Sequence, residues 1–152
     1  MLRKLIRLAL VAGLTFLIFK FWLLPVRITG LSMEPTYHNG QLILVNHLAY
    51  LWRSPARGDV VAVRTSGLRV MYLKRVIGLP GEKLEIKDGV VLIDGQPLTE
   101  PYLEVGRKQW QIGETKLNQD EYYVIGDNRQ VEATEHLFGR VLVERISGRA
   151  LW

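Results

Sequence analysis

The chain begins with its one long apolar run. Residues 8–24, LALVAGLTFLIFKFWLL, contain only Thr15 and Lys20 as polar positions, and a helix rising about 1.5 Å per residue would stretch them over roughly 25 Å. That approaches the roughly 30 Å of a bilayer's hydrocarbon core, so the pattern predicts a membrane-spanning helix. Lys20 lies four residues from the end of the run, beside Trp22, where a long side chain can snorkel to the interface. A cleavable secretory signal starts in the same way but ends in small residues at the cut. Here Pro25, Val26 and Arg27 follow, and the segment reads as an uncleaved anchor. Arg3, Lys4 and Arg7 precede it, which puts the N-terminus in the cytoplasm by the positive-inside tendency. The expected organisation is a basic tail (1–7), a transmembrane anchor (8–24) and an extracytoplasmic catalytic β domain (25–152) at a cell membrane crossed once.

Beyond residue 25 the apolar positions come in short runs with a period near two. Residues 41–46, 59–64, 68–76, 83–87, 90–93, 121–125 and 139–146 are rich in Val, Ile, Leu and Tyr and are separated by turn residues. This predicts a mainly β domain built on antiparallel sheet. Asp88-Gly89 and Asp94-Gly95 are the clearest turns, and the first makes residues 83–93 a hairpin. Residues 48–52 suggest a helical turn ended by Ser54-Pro55. Pro97, Pro101 and Gly106 interrupt residues 97–119, which read as a surface loop.

Composition narrows the function. At 152 residues there is room for one domain beyond the anchor. No cysteine is present, which removes disulfides, thiolate nucleophiles and thiolate metal sites. The 20 Lys and Arg outnumber 15 Asp and Glu by five, but they are scattered, as on a solvated surface, with attraction to membrane lipid next. No zinc-finger spacing, basic helix or RNA-binding aromatic pattern occurs, so nucleic acid is not an expected partner. No His-Glu-x-x-His motif or carboxylate cluster marks a metal site, and no cofactor is implied.

Two segments carry candidate chemistry. Ile28-Thr29-Gly30-Leu31-Ser32-Met33-Glu34-Pro35-Thr36 sets Ser32 in a tight polar segment, with Pro35 fixing the turn that presents it. A serine hydroxyl needs a base within hydrogen-bond reach. His38, His47 and His136 have neither the spacing nor the context of a triad and read as surface or structural residues. Lys74, in Tyr72-Leu73-Lys74-Arg75-Val76-Ile77-Gly78-Leu79-Pro80-Gly81-Glu82, lies in the most hydrophobic strand. Alternation puts Val70, Tyr72, Lys74 and Val76 on one face. A lysine can act as base only if burial depresses its pKa; composition alone favours an edge residue pointing into water.

The chain resembles the bacterial type I signal peptidases, membrane-anchored Ser/Lys proteases that remove signal peptides from exported proteins. Four blocks carry the resemblance in order: Gly30 to Thr36, Arg57-Gly58-Asp59-Val60-Val61, Tyr72 to Glu82, and Gly126-Asp127-Asn128-Arg129. It implies a signal-peptidase-like antiparallel β domain with Ser32 as nucleophile and Lys74 as general base, working through an acyl-enzyme. It also implies the Ser32 backbone N–H as oxyanion donor; the family's extra serine hydroxyl falls on Gly30 here. Met33 matches an apolar residue that either contacts substrate or packs the core. Arg75 and Asp127 match a pair that braces the lysine strand against the Gly-Asp-Asn loop, with Asn128 beside it. The implied partners are signal peptides of preproteins, the lipid bilayer and the secretion machinery.

The resemblance breaks after Arg129. The family's Ser-x-Asp-Ser-Arg pattern, whose first serine bonds the lysine, falls on Glu132, Thr134 and His136 when register is kept to Gly139. A carboxylate beside Lys74 would raise its pKa, against the need of a base, while Thr134 offers a hydroxyl nearby. The alternative is a silent or specialised paralogue that binds or trims a narrow set of membrane-associated substrates.

Overall fold

The computed structural model describes residues 1–64, 71–103, 106–131 and 139–151. Among these residues one helix, α1 (Leu2–Phe21), is followed by eleven strands: β1 (Leu23–Arg27), β2 (Leu42–Asn46), β3 (Val60–Arg64), β4 (Met71–Gly78), β5 (Lys83–Lys87), β6 (Val90–Ile93), β7 (Gln96–Pro97), β8 (Ile112–Lys116), β9 (Glu121–Ile125), β10 (Arg140–Leu142) and β11 (Ile146–Leu151). The strands form a seven-stranded sheet, β1-β2-β11-β3-β4-β9-β10, and a four-stranded sheet, β7-β6-β5-β8. Every pairing is antiparallel.

The apolar N-terminal run divides differently from the 8–24 expectation. The helix takes in the basic residues from Leu2 and stops at Phe21, while Leu23 and Leu24 join the sheet opposite Asn46 and Val45. The cause is the pleat: Leu24 and Val26 pack against the buried cluster of Ile43 and Val45, and Pro25 is tolerated because β1 is an edge strand. Arg3, Lys4, Arg7 and Lys20 lie inside α1 and lower its mean hydropathy, and among the described residues no helix is, end to end, long and apolar enough to cross a membrane. None of its residues is buried.

Three buried clusters hold the domain. The segment after β1 lays Ile28, Met33 and Tyr37 over Ile43, Val45, Val60 and Ala62 on one face of the large sheet. Val61, Val63, Val76, Tyr122, Val124 and Val141 fill the other face. Ile77, Tyr123 and Ile125 join the large sheet to Leu84, Ile86 and Val91 of the small one.

The hairpin β5–β6 forms over the residues expected, and Asp88 and Gly89 both have positive φ (49° and 76°), as a two-residue type I′ turn requires. Gly89 is further constrained because an added Cβ would lie 2.3 Å from the Lys108 carbonyl oxygen. Residues 48–52 form turns rather than a helix. The expected strand at 139–146 is split by a 3-10 turn at Val143–Arg145. The stretch read as a surface loop contributes β8 and the buried Glu100, Trp110 and Leu117.

Candidate active site

Ser32 opens the turn that follows β1. The turn is seated by Met33, which is 2 % exposed, and closed by the Tyr37 N–H donating to the Met33 carbonyl at 3.0 Å. Pro35 lies within it, after a cis Glu34–Pro35 bond. Asn128 clamps it from outside: its backbone N–H donates to the Ser32 carbonyl at 3.1 Å, and its Nδ2 donates to the Leu31 carbonyl at 3.1 Å.

Lys74 lies in the middle of β4, opposite Val61 of β3. On the other side of β4, pairing with β9 begins only at Arg75, opposite Ile125. The chain leaving β9 forms the turn that carries Asn128, so the Ser32 turn is fastened to the loop that follows β9, whose pairing with β4 starts one residue after Lys74. Register puts Tyr72, Lys74 and Val76 on the face of Val61 and Val63, as the alternation read from sequence has them; Val70, the fourth residue of that face, lies outside the described residues. Lys74 is 3 % exposed. Burial pulls its pKa from 10.5 down to about 8, against an opposing pull from the Asp127 charge.

Asp127 ties these pieces together. Its carboxylate accepts from Arg75 Nε at 2.8 Å and Nη2 at 2.6 Å, and from the Thr36 hydroxyl. Arg75 also donates through Nη1 to the Gly58 carbonyl at 2.8 Å and stacks 3.9 Å from the centre of the Tyr102 ring. Both charged partners are buried, so each depends on the other to offset lost hydration.

A cavity of about 70 Å³ runs from Ser32 between β1 and β4, floored by Ile43, Val45 and Ala62 and walled by Met71 and Leu73. An engineered cavity that admits benzene measures about 150 Å³, so this one suits short side chains. β1 is an edge strand, and Met71–Leu73 has β3 on one side with β9 already gone from the other. Two strand edges thus flank a largely apolar trough whose lining includes Ser32.

The family model for signal peptidases, peptidase S26, matches residues 1–152. The chain belongs to the signal peptidase family. Signal peptidase I of Bacillus licheniformis is 36% identical over 126 residues, covering 77% of this chain and 68% of that protein. Signal peptidase I of Leptolyngbya laminosa is 36% identical over 128 residues, covering 79% of this chain and 63% of that protein. The chain thus spans about two thirds of the length of these relatives. Among solved structures, a signal peptidase I from Enterococcus faecalis V583 matches with a TM-score of 0.50 at 27% identity, over 64% of this chain and 97% of that one.

Some parts of this signal-peptidase site were not singled out from sequence. Thr36 stands in a quoted block, yet its bond to Asp127 needed the fold to be seen. Arg129 is buried and donates to both carboxylate oxygens of buried Glu100, which also accepts from the Tyr102 hydroxyl at 2.6 Å. A buried Glu in a Pro-broken stretch carries no pattern that marks it. Thr134 falls outside the described residues, as do Glu132 and His136. His47 Nδ1 lies 2.7 Å from the Ser147 carbonyl oxygen, and His38 is exposed. Among the described residues no group of three His or carboxylate side chains could hold a metal ion.

Proposed function

We propose that this chain cleaves signal peptides from exported preproteins as a serine endopeptidase, with Ser32 as nucleophile and Lys74 as general base. The observation that carries the reading is the burial of Lys74: a lysine 3 % exposed, with its pKa drawn to about 8, one residue before the pairing of β4 with β9, the strand that leads to the Asn128 clamp on the Ser32 turn. A neutral Lys74 takes the Ser32 proton as Oγ bonds to the scissile carbonyl carbon. The same proton passes to the leaving nitrogen as the C–N bond breaks, and water then releases the acyl group with Lys74 again as base. The Ser32 backbone N–H is assigned to the oxyanion. The trough supports binding of the signal peptide as an added strand between β1 and β4, with short side chains in the 70 Å³ cavity.

The test is cleavage of a model preprotein in detergent micelles by the wild-type chain, Ser32→Ala and Lys74→Ala. Cleavage after a small residue, lost in both variants, is expected. A folded wild-type protein as inert as the variants at alkaline pH would instead favour a binding paralogue.

The membrane anchor belongs to the same proposal. α1 is exposed along its length, with large apolar residues such as Leu8, Leu14 and Phe16 in the open. Its 20 residues measure about 30 Å as a helix. Arg3, Lys4 and Arg7 at one end and Lys20 beside Trp22 at the other are placed where snorkelling carries their charges to the two interfaces, which would let α1 span although these residues lower its mean hydropathy. Single cysteines placed before Arg3 and in the β domain should label from opposite sides of sealed vesicles; labelling from one side would refute the span.

A further inference from the structure

A second cavity, of about 180 Å³, lies across the Ser32 turn from the first and is lined by Glu34, Pro35, His38 and residues 127–130. The turn is the partition between them. Ser32 and Met33 face the first cavity, Glu34 and Pro35 the second. A peptide whose carbonyl meets Ser32 while its preceding residues occupy the first cavity must continue past this turn.

The second cavity is lined mostly by residues with charged or polar side chains, the first mostly by residues with apolar ones. Of its ionisable groups, Asp127 is answered by Arg75 and Arg129 by Glu100. Glu34 forms no ion pair with any described residue, and it is half-buried, which weakens screening of its charge. His38 is the remaining ionisable group. The side-chain amide of Gln130 supplies a donor and an acceptor beside it, while that of Asn128 is held between the Leu31 carbonyl and the Gln130 N–H.

We propose that this cavity receives the first residues of the mature chain, on the leaving-group side of the cut, and that Glu34 selects a cationic over an anionic side chain there. The proposal rests on Ser32 being the nucleophile. It assigns discrimination to a part of the substrate that the apolar trough does not touch.

The test uses the full chain in detergent micelles and three peptides identical up to the cleaved bond, with Lys, Gln or Glu as the second residue after it. The Gln peptide is the reference within each variant. For a partly exposed attraction in one case and repulsion in the other, a Lys-to-Glu ratio in kcat/KM of about five- to tenfold is expected at low salt, shrinking at high salt. Glu34→Gln should bring the ratio near unity and Glu34→Lys should invert it. A ratio that is the same in all three proteins overturns the proposal.

A second measurement is independent of turnover. In Ser32→Ala, a hexapeptide of the mature side carrying Lys should shift the side-chain amide resonances of Asn128 and Gln130 in an NMR spectrum, and its Glu counterpart should shift them less. No shift with either peptide overturns the proposal. Shifts from the Lys peptide with no cleavage of any substrate would remove the peptidase reading while leaving the cavity's preference intact.

Discussion

Lys74 is the residue in which stability and chemistry conflict. Its folded pKa of about 8 lies below the ordinary 10.5, so between those values the unfolded chain holds a proton that the folded chain has lost. Stability therefore rises with pH across this window, and below about 8 the buried charge costs on the order of 3 kcal/mol. Activity follows the same titration. The rate kcat/KM should climb tenfold per pH unit below about 8 and level off above it, measured on a model preprotein with a stability curve at each pH. Lys74→Met should abolish cleavage and yet unfold at higher denaturant than wild type at pH 7, the gap closing toward pH 10. A Lys74→Met protein less stable than wild type at pH 7 would show that the lysine's contacts outweigh its desolvation.

At the scale of elements, one carboxylate links a strand, a turn and a loop. Asp127 holds Arg75 of β4 and Thr36 of the Ser32 turn, and its charge raises the Lys74 pKa. Asp127→Asn should then have two separable effects. Leaving Arg75 buried beside a neutral partner costs about 3–5 kcal/mol, seen as a lower denaturation midpoint. Where the protein is folded, the acid limb of the pH–rate profile should move to lower pH, because the charge that favoured protonated Lys74 is gone. An acid limb that stays in place would mean that Asp127 acts on Ser32 alone. Gly89→Ala, at φ 76° with the Lys108 carbonyl oxygen 2.3 Å from the new Cβ, should cost more than the roughly 1 kcal/mol of an unhindered glycine exchange. It should spare the kinetics, since the β5–β6 turn is remote from Ser32 in the fold.

Elements of this kind also show what the sequence makes legible. The β5–β6 hairpin is written in local code, alternation bounded by Asp-Gly, and it forms over the residues expected. β1 hides because Leu23 and Leu24 continue an apolar run whose period says helix; only their fit against Ile43 and Val45 sends them into the sheet. β8, Ile-Gly-Glu-Thr-Lys, is an edge strand with polar outward positions and lacks the β-branched density that marks a strand. In the site, Ser32, Lys74, Arg75 and Asp127 were named from blocks of sequence. Glu100 and Tyr102 were not, nor was the bond from Thr36 to Asp127, because a polar residue's partners lie far along the chain.

At the scale of the molecule, the helix and the sheet domain are nearly independent. No residue of α1 is buried, and the domain holds its end of the connection through the His47 N–H on the Trp22 carbonyl at 2.9 Å. A chain of residues 22–152 keeps β1 and that bond, and so should unfold cooperatively with a midpoint close to that of the full chain. What it should lose is encounter. If α1 sits in the same bilayer as the signal peptide, the two are held at an effective concentration near millimolar, and the freed domain meets substrate only from solution. Cleavage of a short soluble peptide should then be alike in both proteins, while cleavage of a preprotein embedded in vesicles falls by about a hundredfold for the shortened chain. Equal loss on both substrates would instead place the helix in the site's own support, and equal retention would remove the bilayer from the reaction altogether.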